Sequence, residues 1–124
     1  MTIAQDLAAR VNAVTFDDFS DEVLHWAKIG ISDSIGVSLA CCHEPTAKIP
    51  MKVLGAAQQA GPSSIWGSFQ RTTALDAALI NATSTHALDF DDCSNTMTGH
   101  SSTVLVPGAV AIGEELDVSG RDLI

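Results

Sequence analysis

The chain has 124 residues, a length suited to one domain, and its 46% hydrophobic and 17% charged content excludes a disordered protein. Its net charge of -9, from 15 acidic and 6 basic residues with no basic cluster, excludes nucleic acid and anionic membrane surfaces as partners, since both need Lys and Arg to replace counterions. Aromatic residues are scarce and Tyr is absent, while Ala is abundant, which favours an all-α fold of closely packed helices.

Residues 2–13 read as a first helix with Ile3, Leu7, Ala8 and Val11 on one stripe, and Asp6 in its first turns is foreign to a secretory signal. Ser20 or Asp21 then caps a second helix, with Glu22 in its first turn. That helix should end near Cys41. Val23, Ala27, Gly30, Ser34 and Val37 line one face and Leu24, Ile31, Ile35 and Leu39 its neighbour, so the pattern predicts burial on most sides. Gly30, Ser34, Gly36 and Ser38 would let other helices approach closely, and Asp33 is expected to hydrogen-bond or ion-pair inside the packing. The most apolar run, residues 29–42, is too short and too interrupted to span a bilayer.

"HEPT", with Pro45, reads as a break before a third helix over 47–60, which Gly61-Pro62 stops. "SSIWGSF" is one short extended segment, with Ile65 and Trp66 in the strand and Gly67 in a turn; Trp66 is read as a packing anchor. Thr73 and Asp76 have capping-box spacing and open a fourth helix that Asp89 closes. "SSTVLVPGAVAIGEEL", 101–116, is a fifth, capped by Ser101 or Ser102, in which Pro107 should introduce a kink or confine the regular part to the residues after it. Ser119 and Asp122 announce a sixth helix that the sequence does not go on to supply. This predicts a chain continuing past Ile124, with residues 1–124 a partial helical domain of about five helices.

The three cysteines are odd in number and fit no disulfide or zinc spacing, which points to a reducing compartment and a soluble, intracellular, cytoplasmic protein. Cys41 and Cys42 read as small core residues, and His25 and His43 as surface residues.

The chemistry concentrates in "STHALDFDDCSNTMTGHSS", 84–102, where Asp89, Asp91 and Asp92 fall within four positions. Three readings stand. The turn is solvated, as Asp-rich turns commonly are. Or His86, Asp89, Asp91, Asp92 and His100 offer N and O ligands to a metal, although no zinc, EF-hand or paired-histidine spacing is matched and no metal is expected. Or a carboxylate and an imidazole at opposite ends of the turn act as acid and base, with Ser101, Ser102 and the free N–H groups of the fifth helix holding a substrate carboxylate. His86, one helical turn before Asp89, orients or packs.

"NATSTHALDFDD" (81–92) followed by "GHSSTVLVPGAVAIGEEL" (99–116) resembles the signature region of the MmgE/PrpD family. The resemblance extends to "AKIGISDSIGVSLA" (27–40), "SSIWG" and "ALDAALIN", in the family's order. It implies the N-terminal portion of a helical domain in a longer protein. It also implies a lyase or isomerase, like 2-methylcitrate dehydratase, cis-aconitate decarboxylase or iminodisuccinate epimerase. Such enzymes act without a cofactor on a small di- or tricarboxylate, at carbon next to a carboxylate, and commonly as homodimers. Asp89 and His100 fall on the family's active-site aspartate and histidine. Cys93 stands where Thr is usual in the substrate contact, and Ser101 where Pro is usual. This segment alone is expected to be inactive. The rival reading is a non-catalytic helical interaction module, or a truncated remnant, that binds a partner through an apolar face.

Overall fold

A computed structural model of the chain describes residues 2–54 and 60–124. Among them are six α-helices, a 3₁₀ turn and a two-stranded hairpin, and the fold is mostly helical. Helix α1 (Ile3–Ala13) starts at Thr2, whose side chain accepts from the Gln5 N–H while the Gln5 side chain accepts from the Thr2 N–H. A 3₁₀ turn (Phe16–Asp18) leads to α2 (Asp21–Cys41), capped by Ser20, whose Oγ accepts from the Val23 N–H at 3.3 Å.

Helix α3 (Pro45–Leu54) begins earlier than the sequence pattern suggests, because Pro45 opens the helix instead of breaking the chain. Proline suits a first turn, where its missing N–H would have no partner and its φ is already helical. The continuation expected to residue 60 lies partly outside the described residues.

The extended segment is a hairpin, β1 (Ser63–Ser64) paired antiparallel with β2 (Arg71–Thr72). Ile65 and Trp66 therefore lead into the turn and are not the strand itself. Gly61 precedes β1 where a Cβ would collide with the Thr72 carbonyl, an approach only glycine permits. Asn81 ties the hairpin to the helices, with Nδ2 donating to the Ser64 carbonyl and Oδ1 accepting from the Trp66 N–H, each at 2.9 Å. Glu114 accepts from the Ser64 N–H at 2.7 Å and from its Oγ at 2.5 Å.

Helix α4 (Ala74–Thr85) is the centre, packed against α2, α3 and α5 (Ser101–Leu116). Apart from Ile80 its inner face is small or polar: Ala74, Ala77, Asn81, Ser84 and Thr85 are buried with it. Ser84 Oγ donates to the Ser38 carbonyl at 2.9 Å, and Thr103 Oγ1 on α5 donates to the Ala82 carbonyl at 3.1 Å. Ser34 and Ser38 of α2 are buried at this approach and Gly30 faces Ser102 of α5, as their size predicts, whereas Gly36 is exposed and meets no neighbour. Pro107 is buried inside an α5 that is already helical from Ser101, so the regular helix is not confined to the residues after the proline. Helix α6 (Gly120–Leu123) forms one turn on the Ser119 cap.

Further expectations fail, for the end of α4, the burial of α2 and the inward placement of Asp33. Helix α4 stops at Thr85, so Asp89 lies past its end and does not close it. Helix α2 is covered on one face only: Ser34, Val37, Ser38 and Cys41 are buried, whereas Val23, Trp26, Ile29, Leu39 and Asp33 are exposed. Its apolar circumference exceeds what α4 and α5 can reach. No described helix is long and apolar enough to cross a membrane.

The three thiols occupy different surroundings: Cys41 is buried, Cys42 half-buried and Cys93 exposed. Burial pushes the Cys41 thiol above its ordinary 9.0, against a lowering by the Leu88 backbone, and the negative charges of Glu44 and Asp91 add to the rise. The folded chain then holds that proton more tightly than the unfolded one. Its stability contribution is complete below pH 9.0 and is lost as pH climbs through the higher folded-state value. A thiol reagent at about pH 8 should therefore label Cys93 first and Cys41 only on unfolding. In alkaline denaturant melts, Cys41→Ala should flatten the loss of stability with pH.

Candidate functional site

After α4 the chain needs a sharp change of direction, and Asp89 supplies it with φ 57°, a left-handed conformation that Asp tolerates better than most residues. The Asp89 N–H still bonds the His86 carbonyl at 3.3 Å, so the turn stays tied to the helix end. Beyond Cys93 the loop closes on itself. Ser94 and Gly99 exchange backbone hydrogen bonds of 2.9 and 3.4 Å, which returns His100 to the point the chain left.

The result is a compact tetrad. His86 Nδ1 lies 3.0 Å from Asp91 Oδ1 and 3.3 Å from Oδ2. His100 Nδ1 lies 3.3 Å from Asp91 Oδ2, out of line for a hydrogen bond, and that buried nitrogen has no other partner. Their opposite nitrogens both approach one oxygen, Asp89 Oδ1, at 3.4 Å from His100 Nε2 and 4.0 Å from His86 Nε2. The two rings meet edge to face with centroids 4.7 Å apart.

The three aspartates are not equivalent, as a solvated turn would make them. Asp89 is 76% exposed at its side chain, Asp91 only 1%. Asp92 reaches α5: its Oδ1 accepts from the Ser102 N–H at 3.1 Å and its Oδ2 from Ser101 Oγ at 3.4 Å. Neither Ser101 nor Ser102 is the cap, contrary to the sequence pattern. His100 occupies the cap position without a side-chain bond, and Asp92 does the capping from outside the helix. The Ser102 N–H expected to hold a substrate carboxylate is thus held by the protein's own.

Asp89 and His100 are brought together, while Cys93 stands exposed beyond the tetrad. Asp91 and His86 are the members that reading the sequence undervalues. No sequence signal was available: the half-exposed His86 meets the buried Asp91 five residues on, past the end of α4, at a spacing that no helical or strand period reveals. His86, Asp89, Asp91 and His100 each bring a ligand atom into a cluster spanning 4.8 Å, so folding assembles the N and O donor set that the linear spacing lacks. Around His100 a cleft of about 190 Å³ is lined by Met97, Gly99, Ser101, Val104 and Leu105. No Lys or Arg ion-pairs with the tetrad among the described residues; Arg10, Arg71 and Arg121 pair with Asp6, Glu114 and Asp17.

Residues 5–124 match the sequence profile of the MmgE/PrpD N-terminal domain. No curated protein matches the chain.

If Asp92 is the cap of α5, Asp92→Ala should lower stability by about 0.5–2 kcal/mol in denaturant unfolding, the usual effect of a lost N-cap. Asp89→Asn, at an exposed position and with a residue that keeps the left-handed φ, should change it by less than about 0.5 kcal/mol.

Proposed function

The chain belongs to the MmgE/PrpD family, and we propose that it is the acid/base half of a lyase or isomerase site for a small di- or tricarboxylate. The observation that supports this most is the 3.4 Å approach of His100 Nε2 to Asp89 Oδ1, between two residues far apart in the loop and at the positions of the family's motifs. A carboxylate and an imidazole so placed can divide the two proton transfers of a dehydration or an epimerisation next to a carboxylate, and either can deliver the single proton that carbon takes up after CO₂ leaves in a decarboxylation. One removes or receives the proton at carbon, and the other serves the leaving group or the opposite face. Ser101, which lines the cleft beside His100, and Ser102 and Cys93, which are close to the tetrad in sequence, are assigned substrate contacts in this reading, although Asp92 already holds the Ser102 N–H.

The reaction in this reading needs no cofactor or metal. Its substrate is an anion facing an acidic cluster, and anion recognition requires Arg or Lys. The cations then come from outside the tetrad's surroundings, from further chain or from the partner in a homodimer. The setting is intracellular and cytoplasmic.

The test is solvent exchange in the full-length protein. In D₂O with chelator present, candidate polycarboxylates should take up deuterium at the carbon next to a carboxylate, followed by proton NMR. Asp89→Asn or His100→Asn should slow this by roughly 10²–10⁴-fold, as for a lost proton-transfer group, while the fold survives. Unchanged exchange in folded His100→Asn would remove the catalytic assignment, and loss of exchange on chelation would turn the tetrad into a metal centre.

One observation favours the second reading, a helical interaction module. Helix α1 is exposed on every side, with Ile3 90%, Leu7 61% and Val11 64% exposed on one stripe. The chain also exposes 8114 Å², against about 6,300 Å² for a compact monomer of its mass. A protein with no exchange on any polycarboxylate, yet a stoichiometric complex lost on Leu7→Asp, would establish that reading instead.

A further inference from the structure

We infer that Asp91 is a positioning residue that fixes the tautomers of two histidines at once, His86 and His100, and so makes His86 a second base beside His100. The inference rests on the acid/base reading of the site for its catalytic meaning, but its structural content stands apart from it.

A carboxylate withdrawn from water must find donors within the protein, because an unpaired buried charge is costly. Asp91 has a side chain 1% exposed, and among the described residues no Lys or Arg pairs with it. The groups within ion-pair distance are the Nδ1 atoms of His86 and His100. Asp89, by contrast, is 76% exposed, and water can hydrate it without any help from the rings. Each neutral imidazole has one N–H to give. The competition between the two carboxylates for it is therefore unequal: the buried one takes the proton-bearing nitrogen of both rings. Asp91 Oδ1 already bonds His86, and Oδ2 faces the otherwise unpartnered His100 Nδ1 at 3.3 Å, out of line as it stands, so that a rotation of the His100 ring lets the two be served together.

With Nδ1 protonated on both rings, both Nε2 atoms carry free lone pairs on the side of Asp89 Oδ1. A lone pair cannot bond a carboxylate oxygen, so the exposed Asp89 keeps its water there, and any proton shared with an Nε2 comes from solvent or substrate. A hydrogen bond on one imidazole nitrogen sets the role of the other. Asp91 thus prepares two bases at the point where Asp89 sits. The half-exposed His86 ring, which lies on the same side of Asp91, becomes a participant instead of a packing group.

Long-range proton–nitrogen NMR of the chain with ¹⁵N-labelled histidine tests this, recorded at a pH where the nitrogen shifts themselves show the rings to be neutral. His86 and His100 should both show the Nδ1–H pattern, whereas the exposed His25 and His43 should show the mixture of free imidazole. An Nε2–H pattern in either His86 or His100 overturns the proposal. Asp91→Asn offers one acceptor oxygen and one donor NH₂, so one of the two rings should switch to Nε2–H; a folded variant with both patterns unchanged also overturns it. If that variant does not fold, the parent spectrum decides alone. In the full-length enzyme, Asp91→Asn should lower kcat by about 10²-fold or more with KM held, as expected when a base is mis-set without loss of substrate contact. A wrong tautomer with intact dependence on Asp89 and His100 would defeat this inference and leave the acid/base reading standing. The expected tautomers with no exchange activity would do the reverse.

Discussion

The requirement that a buried carboxylate be hydrogen-bonded shapes the whole region between α4 and α5. Asp91 cannot be solvated, so the chain on both sides of it must return donors to it. Helix α4 stops at Thr85, which frees His86 to swing over the acidic turn. The left-handed Asp89 reverses direction, and the Ser94–Gly99 closure delivers His100. Asp92, next in line, cannot join them and instead satisfies the first N–H groups of α5, which anchors the far end of the loop. One short acidic run therefore supplies an exposed carboxylate beside both rings, a buried one clamped between them and a helix cap.

The clamp works because the helices around it are held rigidly and closely. Their contact faces carry Ala, Ser, Thr and Asn in place of large side chains, and these bond neighbouring backbone directly. Ser63 Oγ donates to the Ala111 carbonyl at 2.8 Å, Ser84 to Ser38, and Thr103 to Ala82. Each such bond contributes on the order of 1 kcal/mol, less than a large buried side chain, but it fixes distance and register. The same economy leaves a thin core, with Ile65 and Ile80 its bulkiest fully buried apolar residues, and large apolar side chains on several outer faces. Those outer faces are what a partner or further chain would cover.

Much of the fold is legible in the sequence. The Ser20, Thr73 and Ser119 caps, the end of α2 at Cys41 and the span 101–116 of α5 all follow from local chemistry, since a cap needs only its own hydroxyl and the next turn of backbone. The family is legible as well, through the ordered motifs ending in "GHSS", and the match over residues 5–124 bears it out. Pro45 misleads because the same residue ends one helix or begins another depending on where the preceding one stops. The burial of α2 misleads because periodicity counts apolar residues and not the neighbours available to cover them.

The sequence by itself thus determined the helices, the starts at Ser20, Thr73 and Ser119, and the presence of a carboxylate and an imidazole at the ends of one loop. Those properties depend on residues within a turn or two of each other. Only the tertiary structure decided which aspartate is buried, which caps α5 and which faces both rings. At positions 89, 91 and 92 the residue type is the same, and the difference lies in solvent exposure and in partners brought from across the loop. Burial is a property of the packed helices, and it divides three identical side chains into three different roles.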